Sequence, residues 1–210
     1  MTKHIIQKKL IECNVELDNI SKKLYEVRQL DQNNDFNGYR ESALEIARNA
    51  ERFTCKMRQL VLDTVFYNKS DFMLDVSKSQ GITIEKEDNW IKIVMPFLLP
   101  KKRTTQSCSF ILDPLEYALR DFVSKTREER YDRCVVCFRN VYTLGGKSVR
   151  DHDNIETKKV LDVITAYLLV DDTGLLCSNF YTTTVGENEQ TEVYIVSKND
   201  FGKWLKIYPL

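Results

Sequence analysis

The stretch RDHDNIETKKVLDVITAYLLVDD, residues 150–172, contains the pattern from which the fold of the second half of the chain can be predicted. Its apolar residues recur every three or four positions, which predicts a helix over residues 154–169. Asp153 or Asn154 is the expected N-cap of that helix. The residues expected on its core face are Val160, Leu161, Ile164, Tyr167 and Leu168.

On either side of this helix the apolar period changes toward two, which is typical of β-strands. Strands are predicted at residues 82–84, 90–95, 134–141, 175–184 and 192–196. Asp113 and Pro114 are expected to open another helix as its N-cap and first turn. The last two strands, joined by a turn at residues 186–188, are predicted to form a hairpin. Residues 82–210 are therefore predicted to be an α+β domain with an α/β-type mixed sheet.

The first sixty residues show a different pattern, in which apolar residues alternate at spacings of four and three. One such seam runs from Ile6 to Val27 and a second from Tyr39 to Leu60, with a polar loop at residues 31–38 between them. The sequence predicts a helical hairpin of the coiled-coil type over residues 1–75. Residues 67–81 are expected to be a linker that contains at most one short helix.

Composition excludes several classes of protein. The chain has 31 basic and 31 acidic residues, so it is not a uniformly basic nucleic-acid coat. No apolar run reaches the length of about 20 residues that a membrane span requires, and the N-terminus lacks the apolar core of a signal peptide. A cytoplasmic protein with no membrane partner is expected. The six cysteines are scattered, which favours free thiols over disulfides.

The acidic residues that flank the predicted helix are the candidate site. Asp151 and Asp153 are two residues apart, so their carboxylates share one side if the chain is extended there, whereas His152 points to the other side. If Asp172 meets this pair, the three carboxylates would need a cation, and oxygen ligands suit Mg²⁺ or Mn²⁺. Such an ion is commonly used to hydrolyse phosphodiesters. The alternative is that these residues only cap the helix and form a turn.

The segment Asp151-His-Asp-Asn-Ile155, the helix with a lysine in its first turns and Val170-Asp-Asp172 together resemble the signature of the RusA-like crossover junction endodeoxyribonucleases. These are Holliday junction resolvases of DNA recombination and repair, typical of phages and prophages. The order of strands and helices agrees over about residues 85–200. The first eighty residues have no counterpart in the compact members of that family.

The resemblance implies that Asp151, Asp153 and Asp172 bind the metal ion, with Asp171 as a neighbour that can substitute. It also implies a catalytic lysine on the helix. In a gapless alignment the position of the family's lysine is occupied here by Thr157, and Lys158 is the next residue. The resemblance therefore assigns catalysis to Asp151, Asp153, Asp172 and Lys158, with Mg²⁺ or Mn²⁺ and no small-molecule cofactor.

The charge distribution is compatible with DNA as a partner. Residues 101–150 contain eleven Lys and Arg but six Asp and Glu, just before the acidic site. Basic residues in such a place can hold the phosphates of DNA. The candidate DNA-binding residues are Lys101, Lys102, Arg103, Arg139, Lys147 and Arg150.

Two functions follow from the sequence. The first is a metal-dependent, structure-specific endonuclease that cuts branched DNA, expected as a homodimer because a four-way junction is two-fold symmetric and needs two cuts. The second is an inactive RusA-like module that binds DNA or assembles through a dimerising helical hairpin. The spatial relation between Asp172 and the pair formed by Asp151 and Asp153 distinguishes the two.

Overall fold

A computed structural model describes residues 3–32, 36–62, 68–87, 89–102, 109–144 and 149–209. The chain divides into two compact units, residues 1–69 and residues 70–210. Helices make up the first unit, and the second combines helices with a mixed sheet, so the predicted α+β class with an N-terminal helical pair is confirmed. Within the described residues, no helix has the length and apolar character needed to span a bilayer.

The first unit consists of helix α1, Lys3–Gln32, and helix α2, Phe36–Leu62. The alternating apolar seams explain their association, because Cys13 and Ile20 of α1 are buried. Ion pairs also join the helices, between Lys56 Nζ and Glu16 Oε1 at 2.7 Å and between Lys23 Nζ and Glu45 Oε2 at 3.3 Å. The helices extend into the predicted loop at residues 31–38, whose central residues 33–35 lie outside the described part of the chain.

The second unit begins with a helix where the sequence suggested a linker. Its elements in chain order are α3 (Lys69–Ser79), β1 (Thr83–Glu87), β2 (Trp90–Met95), α4 (Ser109–Thr126), β3 (Cys134–Thr143), a 3₁₀ turn (His152–Asn154), α5 (Lys158–Leu168), β4 (Cys177–Gly186), β5 (Gln190–Ser197) and α6 (Phe201–Ile207). Helix α3 thus fills most of the interval 67–81. Gly145 and Gly146, a pair of residues typical of a turn, lie outside the described residues.

The strands form one five-stranded sheet in the order β1-β2-β5-β3-β4. Strands β3 and β4 are parallel, as expected for strands joined through a helix such as α5, and the other pairs are antiparallel. The predicted hairpin of β4 and β5 is therefore wrong, because β3 lies between these two strands. The alternating pattern predicted both strands correctly but contains no information on which neighbour each strand pairs with.

Gly186 lies where the chain crosses from one side of β3 to the other. It ends β4 opposite Thr143, and β5 begins at Gln190 opposite Val141. A Cβ atom at Gly186 would lie 2.6 Å from Cγ1 of Val141, which is closer than real Cβ contacts allow. The short crossing therefore depends on a residue without a side chain at position 186.

We expect Gly186→Ala to lower the free energy of unfolding by about 1–3 kcal/mol, the usual cost of overpacking. The control is Gly202→Ala in α6, where an added Cβ meets nothing within 4 Å and alanine favours the helix. Chemical denaturation of both variants measures the difference. Equal stability of Gly186→Ala and the wild type would show that the crossing can widen without cost.

Helices cover both faces of the sheet. On one face, α4 packs through Leu115 and Leu119 and α5 through Ile164 and Leu168, and these side chains form one buried core with Phe138 of β3. On the other face, α6 covers a smaller aromatic cluster centred on Trp204 and Tyr194. Cys134 belongs to the first cluster and Cys137 to the second, as expected for strand residues three apart.

Helix α4 begins earlier than predicted. It starts at Ser109, so that Pro114 lies inside the helix rather than in its first turn, and Asp113 is not its N-cap. A proline at this position has no N–H to donate to the carbonyl of Phe110 four residues earlier. The side chain of Gln80 supplies the missing donor, with Nε2 2.9 Å from the Phe110 oxygen. This long-range hydrogen bond, which the local sequence does not reveal, helps to accommodate the proline.

Candidate functional site

A pocket of about 590 Å³ lies beside the N-terminal end of α5. Two carboxylates, Asp153 and Asp172, line it together with two lysines, Lys102 and Lys158. Asp153 and Asp172 are separated in sequence by the whole of α5, and the fold brings both to one cavity. The pocket therefore brings together charged side chains from both ends of the segment that the sequence singled out.

The loop before α5 is held by backbone hydrogen bonds to the segment that carries Lys102. The Lys102 N–H donates to the Asn154 carbonyl at 2.7 Å, and the Glu156 N–H donates to the Pro100 carbonyl at 3.0 Å. Ile155 forms a bridge with Lys101 and is buried. These contacts place Lys102 next to the acidic turn.

The same contacts explain why α5 starts four residues later than predicted. Because Ile155 pairs with Lys101, the chain is extended there, and the helix begins at Lys158 with Thr157 as its N-cap. Asp153 and Asn154 instead belong to the 3₁₀ turn, so neither of them caps α5. The spacing of apolar residues is still helical in this segment, but the pairing of Ile155 with Lys101 holds the chain extended there.

Asp151 does not line the pocket, although Asp153 does. The prediction that they share one side assumed an extended chain, whereas a 3₁₀ turn advances about 120° per residue and separates positions two apart. His152, expected to point away, lines the pocket with Asp153. Asp171 is exposed and is not among the lining residues, whereas its neighbour Asp172 is.

Asp172 is positioned by the end of α5 and the start of β4. Tyr131 forms two backbone hydrogen bonds with the chain where α5 ends. Its N–H donates to the Leu168 carbonyl at 2.8 Å, and its carbonyl accepts from the Val170 N–H at 3.0 Å. The Thr173 carbonyl then accepts the N–H groups of Leu176 and Cys177 in a turn. Asp172 therefore lies on a short segment that is anchored at both ends.

Lys158 is the first residue of α5 and one of its most exposed side chains. Its Nζ lies 3.0 Å from Oδ1 of Asp162, one turn further along the helix. The hydrogen bond to Asp162 raises the pKa of Lys158 above its usual value, and the negative charges of Asp172 and Glu156 also raise it. Lys158 is therefore a stable cation beside Asp172.

The part of the pocket that is lined by His152 and by β4 is aromatic and polar. His152 Nε2 lies 3.0 Å from Oγ1 of Thr183, and its ring is 5.8 Å from that of Tyr181. Tyr181 in turn stacks on the buried Phe138, at 5.6 Å between ring centroids. Asn179 and Tyr181 line the pocket from alternate positions of β4. Sequence analysis missed both residues, although their alternation on a strand next to the acidic segment was the signal that could have found them.

The number of carboxylates in the pocket limits the way in which it could hold magnesium. Among the residues that the structure describes, no group of three or more His, Cys, Asp or Glu side chains is arranged to hold a metal ion. Asp153 and Asp172 line one pocket without a third carboxylate. Mg²⁺ commonly binds through one or two carboxylates and completes its shell with water and substrate phosphate. Asp153 and Asp172 supply the number of carboxylates that this mode of binding uses.

The predicted DNA-binding residues are dispersed. Lys101 and Lys102 are exposed beside the pocket. Arg150 is half-buried, and its Nη1 donates to the Leu99 carbonyl at 2.6 Å, so it braces the neighbouring loop. Arg103 and Lys147 lie outside the described residues.

Arg139 lies on the α6 face of the sheet, opposite to the pocket. Its Nη1 is 2.7 Å from Oε2 of Glu192, which is only 7% exposed and also accepts the Tyr194 hydroxyl at 2.9 Å. Burial alone would raise the pKa of Glu192, but the hydrogen bonds from Arg139 and Tyr194 outweigh burial and hold this pKa below its ordinary value of 4.5. In this structure Arg139 stabilises a buried carboxylate.

We expect Arg139→Met to lower the free energy of unfolding by about 3 kcal/mol, because it leaves the buried Glu192 carboxylate without its charge partner. Arg133→Met, an exposed arginine just before the same strand, should change stability by less than about 0.5 kcal/mol. Urea denaturation measures both. A DNA affinity that falls in Arg139→Met, with stability unchanged, would contradict this structural role and support the predicted role at DNA.

The same pair makes stability depend on pH. Since the pKa of Glu192 is lowered on folding, its contribution is present above pH 4.5 and is lost as pH falls through the lowered value. We therefore expect the acid-induced loss of stability below pH 4.5 to be smaller in Glu192→Gln than in the wild type.

Comparison with known proteins identifies the family to which the chain belongs. A crystal structure described as that of a "putative translation initiation inhibitor" from Salmonella typhimurium is similar, with 11% sequence identity, coverage of 56% of this chain and 97% of that chain, and a TM-score of 0.26. No curated protein matches the chain. A family model described as a family of unknown function, DUF6100, matches residues 2–208. Since that match spans nearly the whole sequence, the chain belongs to the DUF6100 family.

Proposed function

We propose that the pocket binds a phosphodiester of branched DNA together with Mg²⁺ or Mn²⁺ and hydrolyses it. The observation that carries the proposal is the convergence of Asp153, Asp172, Lys102 and Lys158 in one cavity. The choice of branched DNA rests on the resemblance of residues 150–172 to the RusA-like resolvases. The proposal includes a cytoplasmic location.

The charge balance of the pocket supports binding of a cation followed by an anion. The charged residues known to line it are two carboxylates and two ammonium groups, which cancel. A divalent ion held by Asp153 and Asp172 would give the site two net positive charges. A phosphodiester carries one negative charge and would be attracted only to the metal-loaded site.

The lysines at the start of α5 also support the proposal. The first turn of this helix contains Lys158 and Lys159 and no acidic residue. A cation there faces the positive end of the helix dipole and is disfavoured by about 0.3–1 kcal/mol. Local conflicts of this kind often mark functional positions, because function rather than stability selects the residue.

Each side chain has a distinct role in the proposed reaction. Asp153 and Asp172 would hold the ion, which would supply Lewis acidity and a water of lowered pKa. Lys102, exposed beside the acidic turn, holds the neighbouring phosphate. Lys158 stabilises negative charge as it grows on the phosphoryl or leaving oxygen.

A synthetic four-way junction tests the proposal directly. We expect cleavage with Mg²⁺ or Mn²⁺, no cleavage with EDTA, and little cleavage of a linear duplex of the same sequence. Cleavage of both DNAs at equal rates would support the proposed nuclease activity but contradict the preference for branched DNA. Absence of cleavage with either metal would contradict the proposal.

The second candidate is a module that binds DNA without cutting it. The ion pair between Lys158 and Asp162 favours it, since Lys158 already has a partner outside the proposed reaction. In that case the wild type shifts a four-way junction in gel electrophoresis, and the metal does not lead to product.

A further inference from the structure

Two cysteines face each other across the parallel strands β3 and β4. Cys134 is the first residue of β3, Cys177 is the first residue of β4, and the two are register partners. Both belong to the same buried core, and they are 1% and 4% exposed. Since the side chains of register partners project to the same face of a sheet, the two thiols are neighbours.

The backbone geometry of this pair suits a disulfide. Two cysteines can be bridged when their Cα atoms are about 4.4–6.8 Å apart, and neighbouring strands are separated by about 4.7–4.9 Å. Cys137, by contrast, belongs to the cluster under α6 on the other face, and its register partner on β4 is Phe180. Among the described cysteines of the second unit, Cys177 is therefore the one that can bridge to Cys134.

The two thiols differ in acidity. The Cys134 thiol donates a hydrogen bond to the Cys177 sulfur, which raises the pKa of Cys134 and lowers the pKa of Cys177 below its ordinary value of 9.0. Burial and the charge of Asp172 oppose the lowering, whereas the charge of Lys198 and a backbone hydrogen bond from Val136 support it. Because the thiolate is the nucleophilic form of cysteine, Cys177 is the sulfur expected to react first.

We propose that Cys134 and Cys177 form a site of reversible oxidation, at which a hydroperoxide converts the two thiols into a disulfide between β3 and β4. The Cys177 thiolate attacks one oxygen of hydrogen peroxide, the O–O bond breaks, and the departing hydroxide takes up the proton that Cys177 released. The Cys134 sulfur then displaces the hydroxyl group of the Cys177 sulfenic acid, which leaves as water with the Cys134 proton. Two thiols and one peroxide thus give one disulfide and two water molecules.

The competing explanation is that both cysteines only fill the core, where a thiol behaves as a small apolar side chain. Packing accounts for their burial, but it requires neither the pairing in register nor the hydrogen bond between the sulfurs. The inference does not rest on the proposed nuclease activity, and its test measures thiols rather than DNA cleavage.

The number of free thiols in the full chain tests the proposal. Because Cys55 is exposed and can link two chains, the measurement uses Cys55→Ser, which retains five of the six cysteines. The folded protein is treated with hydrogen peroxide, then unfolded and labelled with N-ethylmaleimide. By mass spectrometry we expect the labelled thiols of the monomer to fall from five to three and to return to five after dithiothreitol. Circular dichroism should stay unchanged, since register partners need not separate.

Three further substitutions in the same background identify the pair. Cys137→Ala is the matched control, because Cys137 is as buried as Cys134 on the same strand but faces the other cluster. Its labelled thiols should fall from four to two. Cys134→Ala and Cys177→Ala should each keep all four.

Peptide mapping of the oxidised Cys55→Ser chain decides the question if an alanine variant fails to fold. Val135 and Val136 separate Cys134 from Cys137, so fragmentation between the two valines shows which cysteine is linked to Cys177.

Three outcomes overturn the proposal. These are a full thiol count after oxidation, a reversible loss of two thiols that persists in Cys134→Ala or Cys177→Ala, and a disulfide that forms only as the circular dichroism of the fold is lost. Linked peptides that contain Cys137 in place of Cys134 would equally overturn it.

Discussion

Asp153→Asn is expected to abolish metal-dependent cleavage of a four-way junction, with a loss of about a thousandfold or more. The change is nearly isosteric but removes one of two carboxylates that share the pocket, and a bound metal supplies several kcal/mol of charge stabilisation. Binding of the junction should be unchanged or tighter, because a negative charge near phosphate is removed. Single-turnover cleavage and gel-shift titration measure the two effects.

Asp151→Asn is the matched control. Asp151 is two residues away on the same loop and exposed, but it does not line the pocket. We expect cleavage within about a factor of three of wild type and an unchanged melting temperature, as for most surface substitutions. If Asp151→Asn abolishes cleavage to the same degree, the metal site includes Asp151 after a rearrangement of the 3₁₀ turn.

Lys158→Ala is expected to lower the cleavage rate by about 10²–10³, the usual effect of removing one electrostatic stabiliser of a transition state. Junction affinity should fall much less, because the exposed Lys101 and Lys102 remain available to phosphate and salt-dependent binding is shared among many cations. The measurement is the rate at saturating enzyme, compared with the dissociation constant at the same salt concentration.

Lys159→Ala provides the comparison for Lys158→Ala. Lys159 neighbours Lys158 in the first turn of α5, but its Nζ lies 3.4 Å from Oε2 of Glu156 and it does not line the pocket. Its substitution should leave the rate nearly unchanged. If Lys158→Ala cuts as fast as wild type, the ion pair with Asp162 is the whole role of Lys158, and it is worth a few tenths of a kcal/mol.

The sequence predicted well what is decided locally. The heptad spacing predicted α1 and α2, and the alternation of apolar residues predicted where the strands lie. Three features were missed because partners distant in sequence decide them. Pro114 is accommodated inside α4 with help from Gln80, Ile155 is held extended by Lys101, and β3 separates β4 from β5.

In the candidate site, too, some features are decided locally and others by residues distant in sequence. That Asp153, Asp172 and Lys158 share one pocket agrees with the grouping predicted from residues 150–172. The prediction that Asp151 accompanies them assumed an extended loop, and the 3₁₀ turn is set by contacts with residues 100–102. The alternation of Asn179 and Tyr181 soon after Asp172 offered a signal for these two residues, but the position of their strand next to β3 could not be deduced from its own pattern.

The central place of β5 in the sheet has a consequence for synthesis of the protein. Strand β5 lies between β2 and β3, yet about 100 residues separate the end of β2 from the end of β5. At about 5–20 residues per second, β2 waits roughly 5–20 s for β5 to be synthesised, and β3 waits about half as long. Nascent chains therefore expose apolar strand edges for about half of their synthesis. A chain terminated before residue 190 has no strand to join these edges and is expected to aggregate or be degraded.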